Sequence, residues 1–224
     1  MRRIAARRSL MHFLEEIEYS EAALSADPDA AFLALPFQNA LAEWETHFKS
    51  ERAARRAVVR TSAIVGVRNE RIDVTTIQFA AVARSTSPDV LDRCFTMAPG
   101  KFVRGNLRKQ CETTKIVIVP EIGKLAVDHP CKAFGAQLDA CASSAVTALD
   151  DRAQAMGSRQ SVTNDVLEWK EGINALRITT YAELTKVAVT KGLPKSWVES
   201  FFRKIDDASD PDSESETPAE AINP

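Results

Sequence analysis

Four cysteines and three histidines are the side chains here with most to offer as nucleophiles, bases or metal ligands. Cys94, Cys111, Cys131 and Cys141 form no CxxC pair, and His12, His47 and His129 lie too far apart for a zinc signature. The two types come close only in "HPC", His129 to Cys131. Four reduced, mostly packed cysteines are the expectation. Carboxylates recur on helical stretches, at Glu15 and Glu18 and at Glu43 with His47, but the Glu-x-x-His repeats of a di-iron bundle are absent. So are a P-loop, a dinucleotide glycine pattern, a GxSxG elbow and HExxH. What remains for catalysis is a cofactor-free acid-base pair such as Glu43 and His47, which needs no motif. No metal or cofactor is expected.

The elements that carry these residues follow from composition. The chain has 224 residues, 45% of them hydrophobic and 27% charged, with eight glycines and 7% aromatics. That is a helix-leaning globular composition, and all-α is the expectation. Residues 206–224, "DDASDPDSESETPAEAINP", hold seven acids, no base and one large apolar residue, Ile222. Such a segment cannot bury enough surface to offset its ordering entropy, and is expected to be a disordered acidic tail behind a single domain over 1–205. "MRRIAARRSLMHFL" is Arg-rich and amphipathic, but acids follow at once in "EEIEYSE", unlike a mitochondrial presequence. No apolar run reaches the length of a membrane span, so a cytoplasmic location is expected.

Leu10, Phe13, Leu14, Ile17 and Leu24 repeat at helical spacing, predicting a first helix over Ile4 to Leu24. Pro28 and Pro36 each signal a helix start, with room for one short turn between them. From Phe37 the pattern lengthens. Phe37, Trp44, Glu51, Val58, Val65, Ile72 and Phe79 form one seven-residue series; Ala40, His47, Ala54, Thr61, Arg68, Thr75 and Val82 form the other. Together they describe an inward seam on a helix over about residues 37–84. Arg52, Arg56 and Arg60 fall on outer positions of that heptad, whereas Glu51 and Arg68 fall on the seam. A charge there needs a partner, and Glu51 and Arg68 are read as setting helix register.

"MAPGKFVRGN" reads as a connector. The β-branched run Ile116 to Val119 has no strand partner pattern and suits a helix from Phe102 to Val127, kinked at Pro120. A second long helix is predicted over about 133–191, with Gly157 and Gly172 as possible interruptions and Gly192 as its stop. In "GLPKSWVESFFRKID", Ser196 and Glu199 could form a capping box. Trp197, Phe201 and Ile205, with Phe202 beside them, form an aromatic face that either docks on its own bundle or anchors a partner.

The sum is an elongated up-down helical bundle with two long helices and a short C-terminal aromatic helix. Its function reads as a non-catalytic scaffold or protein-protein interaction protein, with self-association through the long helices as one form of it and Trp197, Phe201, Phe202 and Ile205 as partner-binding candidates. The alternative is a nucleic-acid-associated protein that grips phosphates through Arg52, Arg55, Arg56 and Arg60.

Overall fold

Ser9 starts the first helix: its hydroxyl accepts the His12 N–H at 3.2 Å. A computed structural model of the chain describes residues 3–203. Helix α1 spans Leu10–Ala26 and buries Phe13, Ile17 and Leu24 on one face, together with Glu16 and Ser20. The helix predicted from Ile4 therefore begins six residues late. Residues 4–8 are instead held from outside: the Asn174 amide accepts the Ile4 N–H at 2.8 Å and donates to the Ile4 carbonyl at 2.9 Å. Lys170 donates to the carbonyls of Ala6 at 2.9 Å and Arg8 at 2.6 Å. Side chains thus supply the partners that helix backbone would have supplied.

The chain is all-α, and no strand occurs among the described residues. A 3₁₀ turn, Ala31–Leu33, fills the gap between the two prolines, and Asp27 turns the chain by accepting the Asp29 N–H. The long helix α2 spans Leu35–Thr86, with Pro36 in its first turn, where the missing N–H costs nothing. Both seven-residue series lie inward: every member is buried or half-buried. The second long helix, here α7, spans Lys132–Lys191, and Gly157 and Gly172 do not interrupt it. It closes as predicted at Gly192, whose φ of 68° favours glycine. Leu193 N–H reaches the Ala188 carbonyl and Gly192 N–H the Val189 carbonyl, so the last turn ends in a Schellman motif.

Between the long helices, two short helices, α3 (Pro88–Cys94) and α4 (Pro99–Phe102), precede the helix expected over 102–127. That helix is shorter than expected and runs unbroken over 107–123 as α5 (Leu107–Thr113), a π turn (Thr114–Ile118) and α6 (Val119–Gly123). Asn106 restarts the chain by accepting the Lys109 N–H, so α4 cannot run on into α5. The β-branched run is helical. Pro120 has no N–H to donate, and just before it the Val119 N–H reaches back five residues to the Thr114 carbonyl, which widens the helix at that point. Helix α8 (Lys195–Glu199) begins after Pro194, so Ser196 sits inside the helix and the capping box does not form; Glu199 pairs with Lys195 at 3.0 Å instead.

The chain forms two compact units, one described over 3–54 and 159–203, the other over 55–158. In the first, Phe13, Ile17, Phe37, Trp44, Trp169, Ile173 and Leu184 are the core. Trp44 stacks on Phe48 at 4.9 Å and donates its indole N–H to the Leu10 carbonyl at 2.8 Å. In the second, one cluster gathers Phe79, Val90, Phe95, Ile118, Ile122 and Leu138, and another gathers Ile72, Cys111, Ala142 and Ala145. Gly135 matters to this unit: a Cβ there would stand 3.1 Å from the Ile122 side chain, so glycine sets how closely α7 meets α6.

Candidate functional site

The residues suited to chemistry are used for structure. Cys131 N–H donates to His129 Nδ1 at 3.1 Å, which leaves the proton of a neutral ring on Nε2, 2.9 Å from Ser87 Oγ. Nε2–H therefore donates to the serine. A base that activated Ser87 would need its lone pair there, so the pair ties the start of α3 to the loop before α7 and does not make a nucleophile. His47 lies against Trp169, ring centroids 5.5 Å apart, and Glu43 is exposed. Cys94, Cys111 and Cys131 are buried and Cys141 is half-buried; burial pushes the Cys94 and Cys111 thiols up to about 11, away from thiolate chemistry. Among the described residues no three His, Cys, Asp or Glu side chains converge as metal ligands would.

A buried ion pair was not legible in the sequence. Glu16 of α1 is 0% exposed and Arg177 of α7 is 2% exposed, and Arg177 donates to Glu16 at 2.9 Å. Burial pushes the Glu16 carboxyl above the usual carboxylate range, and Arg177 opposes that. Burial likewise lowers Arg177. Its guanidinium stands over the Phe202 ring at 5.8 Å. Among the described residues Glu16 Oε1, Ser20 Oγ, Arg177 Nε and Arg177 Nη1 have no hydrogen-bond partner. The pair joins α1, α7 and the C-terminal segment at a cost in desolvation.

The C-terminal aromatics are on the inside. Phe201 and Phe202 are buried in the first unit's core and Trp197 is half-buried, donating to Asp27 at 2.8 Å and meeting Phe201 edge-on at 4.9 Å. Phe202 packs on Tyr181. Their surface is spent on this unit, which is the docking alternative of the sequence reading. Ile205 and the acidic tail lie outside the described residues.

Arg52, Arg55, Arg56 and Arg60 are all exposed, and Glu51 and Arg68 are half-buried. Among the described residues Arg68 forms no hydrogen bond or ion pair. Its exposure suits a long side chain whose apolar stem covers the seam while the guanidinium stays in water.

The outward face of α2 carries what the arginines had obscured. At 100° per residue, Val59, Ala63, Val67, Glu70, Val74, Ile77 and Ala81 fall within an arc of about 80°. All seven are exposed: Val59 by 67%, Val67 by 65%, Val74 by 44% and Ile77 by 42%. Val65, Ile72, Thr76, Phe79 and Ala83, on the opposite side, are buried. From Ala63 to Ala81 the exposed stripe repeats in alternating steps of four and three, the spacing by which one helix receives another. Arg56 and Arg84 stand at its two ends and Arg60 and Arg71 along one side, all exposed. The signal was present in the sequence, because the inner heptad assigns these valines to outer positions. No protein family, curated protein or solved structure matches this chain.

Proposed function

We propose that this chain is a non-catalytic helical interaction protein that presents the outer face of α2, between Val59 and Ala81, to another protein. The observation that carries the reading is the second, outward seam on a helix whose inner seam already serves the core. A surface helix of a globular protein needs one apolar stripe, and a second in water points to a binding face. No helix among the described residues is long and apolar enough to cross a membrane, so the stripe does not belong to a spanning helix. The C-terminal aromatic helix, the other interaction candidate, is a weaker one because its rings face the core.

The test is cross-linking of the full chain in extract of its native cell, comparing wild type with a Val67→Lys/Val74→Lys variant whose thermal melt is unchanged. Loss of the wild-type cross-links is the expected result; the same cross-links in both proteins would overturn the reading. The second reading, phosphate binding by Arg52, Arg55, Arg56 and Arg60, is supported by their exposure. Against it, Ala53, Ala57 and Val59 stand between them, and the nearest aromatic in sequence, Phe48, is half-buried and already stacked on Trp44. Salt-sensitive binding of a DNA or RNA duplex, lost in Arg56→Glu/Arg60→Glu, would favour that reading instead.

A further inference from the structure

The geometry points to an acidic amphipathic helix of another protein as the occupant of the α2 stripe, an inference that rests on the interaction reading above. The stripe is about 33 Å long, six turns of helix, which is enough for a coiled-coil contact of three heptads. Its apolar side chains are valine, isoleucine and alanine. Small and β-branched residues at this spacing form shallow holes for the knobs of a second helix, whereas a helix that lies on a membrane surface carries the aromatic and leucine residues that are missing here. The rim decides the sign of the partner. Arg56, Arg60, Arg71 and Arg84 are exposed around the stripe, and Glu70 is the one acid within it. Asp73, the nearest other carboxylate on α2, is turned away: it is half-buried and accepts from Gln110 at 2.8 Å.

A second copy of the chain does not meet these charges. Pairing in parallel register sets Arg56, Glu70 and Arg84 each against itself, and pairing antiparallel about Glu70 sets Arg56 against Arg84 and Glu70 against Glu70. Sliding one copy until Glu70 meets Arg56, Arg60 or Arg84 removes about half of the apolar overlap, and the one-residue slip of the antiparallel pair that sets Glu70 against Arg71 leaves Arg56, Arg60 and Arg84 without a carboxylate. A separate helix with carboxylates facing the four arginines, and one base facing Glu70, meets all five charges at full overlap.

The experiment uses the full chain and two designed helical peptides of about 28 residues with leucine at their a and d positions. One places glutamates toward Arg56, Arg60, Arg71 and Arg84 and a lysine toward Glu70; its twin has those charges reversed. Binding is read by fluorescence anisotropy. The expected result is that the acidic peptide binds at least about tenfold more tightly than the twin, and that Arg56→Glu/Arg60→Glu reverses the order. Equal or tighter binding of the twin to the wild-type chain overturns the inference, as does binding of neither peptide. Twin binding that Val74→Lys abolishes leaves the interaction reading standing and removes the acidic partner alone. Binding of neither peptide, together with cross-links unchanged in the stripe variant, removes both. A dimer by sedimentation that Val74→Lys dissolves overturns the inference in favour of a second copy. Co-sedimentation of the wild type, but not Val74→Lys, with phosphatidylserine vesicles overturns it in favour of a lipid surface.

Discussion

Two regions of this molecule break the same rule in opposite directions. In one unit a glutamate and an arginine, Glu16 and Arg177, are buried; in the other, Val59, Val67, Val74 and Ile77 stand in water. The buried charges find their reason inside the chain. Each is the other's partner, and Arg177 also holds Phe202, so the pair orients three segments against one another. Among the described residues the exposed valines have no such explanation, because the face opposite them already packs the core. Buried polarity with partners speaks of architecture, and exposed apolarity at regular spacing speaks of association.

The comparison breaks most readily at Arg177. Arg177→Ala leaves Glu16 buried without its counter-charge and is expected to cost about 3–5 kcal/mol in urea unfolding at neutral pH. Glu16→Leu/Arg177→Leu should recover most of that loss; if it does not, the pair stabilises the fold beyond its mutual attraction. Next comes Asn174→Ala, which strands the N–H and carbonyl of Ile4 and should cost about 1–3 kcal/mol by the same measurement.

A pH series sharpens the buried side. Glu16 titrates in the folded state above its unfolded range, so the folded state holds that proton where the unfolded state has released it. Its contribution is fully present at low pH and is lost as pH rises through the folded value. The stability of wild type relative to Glu16→Gln should therefore fall with rising pH above the usual carboxylate range and then level off; a difference flat with pH would contradict the assignment. Cys94 and Cys111, held at about 11, should resist iodoacetamide at pH 8 and react once urea unfolds the chain, as peptide mass spectrometry would record. The smallest effect belongs to the exposed side. Val74→Lys should change unfolding stability by no more than about 0.5 kcal/mol while removing partner binding. A larger loss would mean that Val74 serves the core.

Much of the fold was legible because it repeats. The inner seam from Phe37 to Val82 and the stop at Gly192 are local patterns, readable from side-chain period and from a backbone conformation that favours glycine. The outer seam was legible by the same arithmetic, yet the arginines drew attention to the charged members of a face whose apolar members carry the proposal. The capping box at Ser196 does not form, since Pro194 starts that helix two residues sooner. The division of the chain between α3 and α5 was not legible, because each boundary rests on a single side chain or on one missing N–H.

By itself, the sequence determined that this chain is helical, where its two long helices run, and which face of α2 turns inward, because helix period is a property of neighbouring residues. Only the tertiary structure decided that Glu16 meets Arg177, that Asn174 holds Ile4, and that Phe201 and Phe202 are buried while Val67 and Val74 are not. Those outcomes join residues as far as 170 positions apart, and chain order does not say which distant surfaces exclude water from one another.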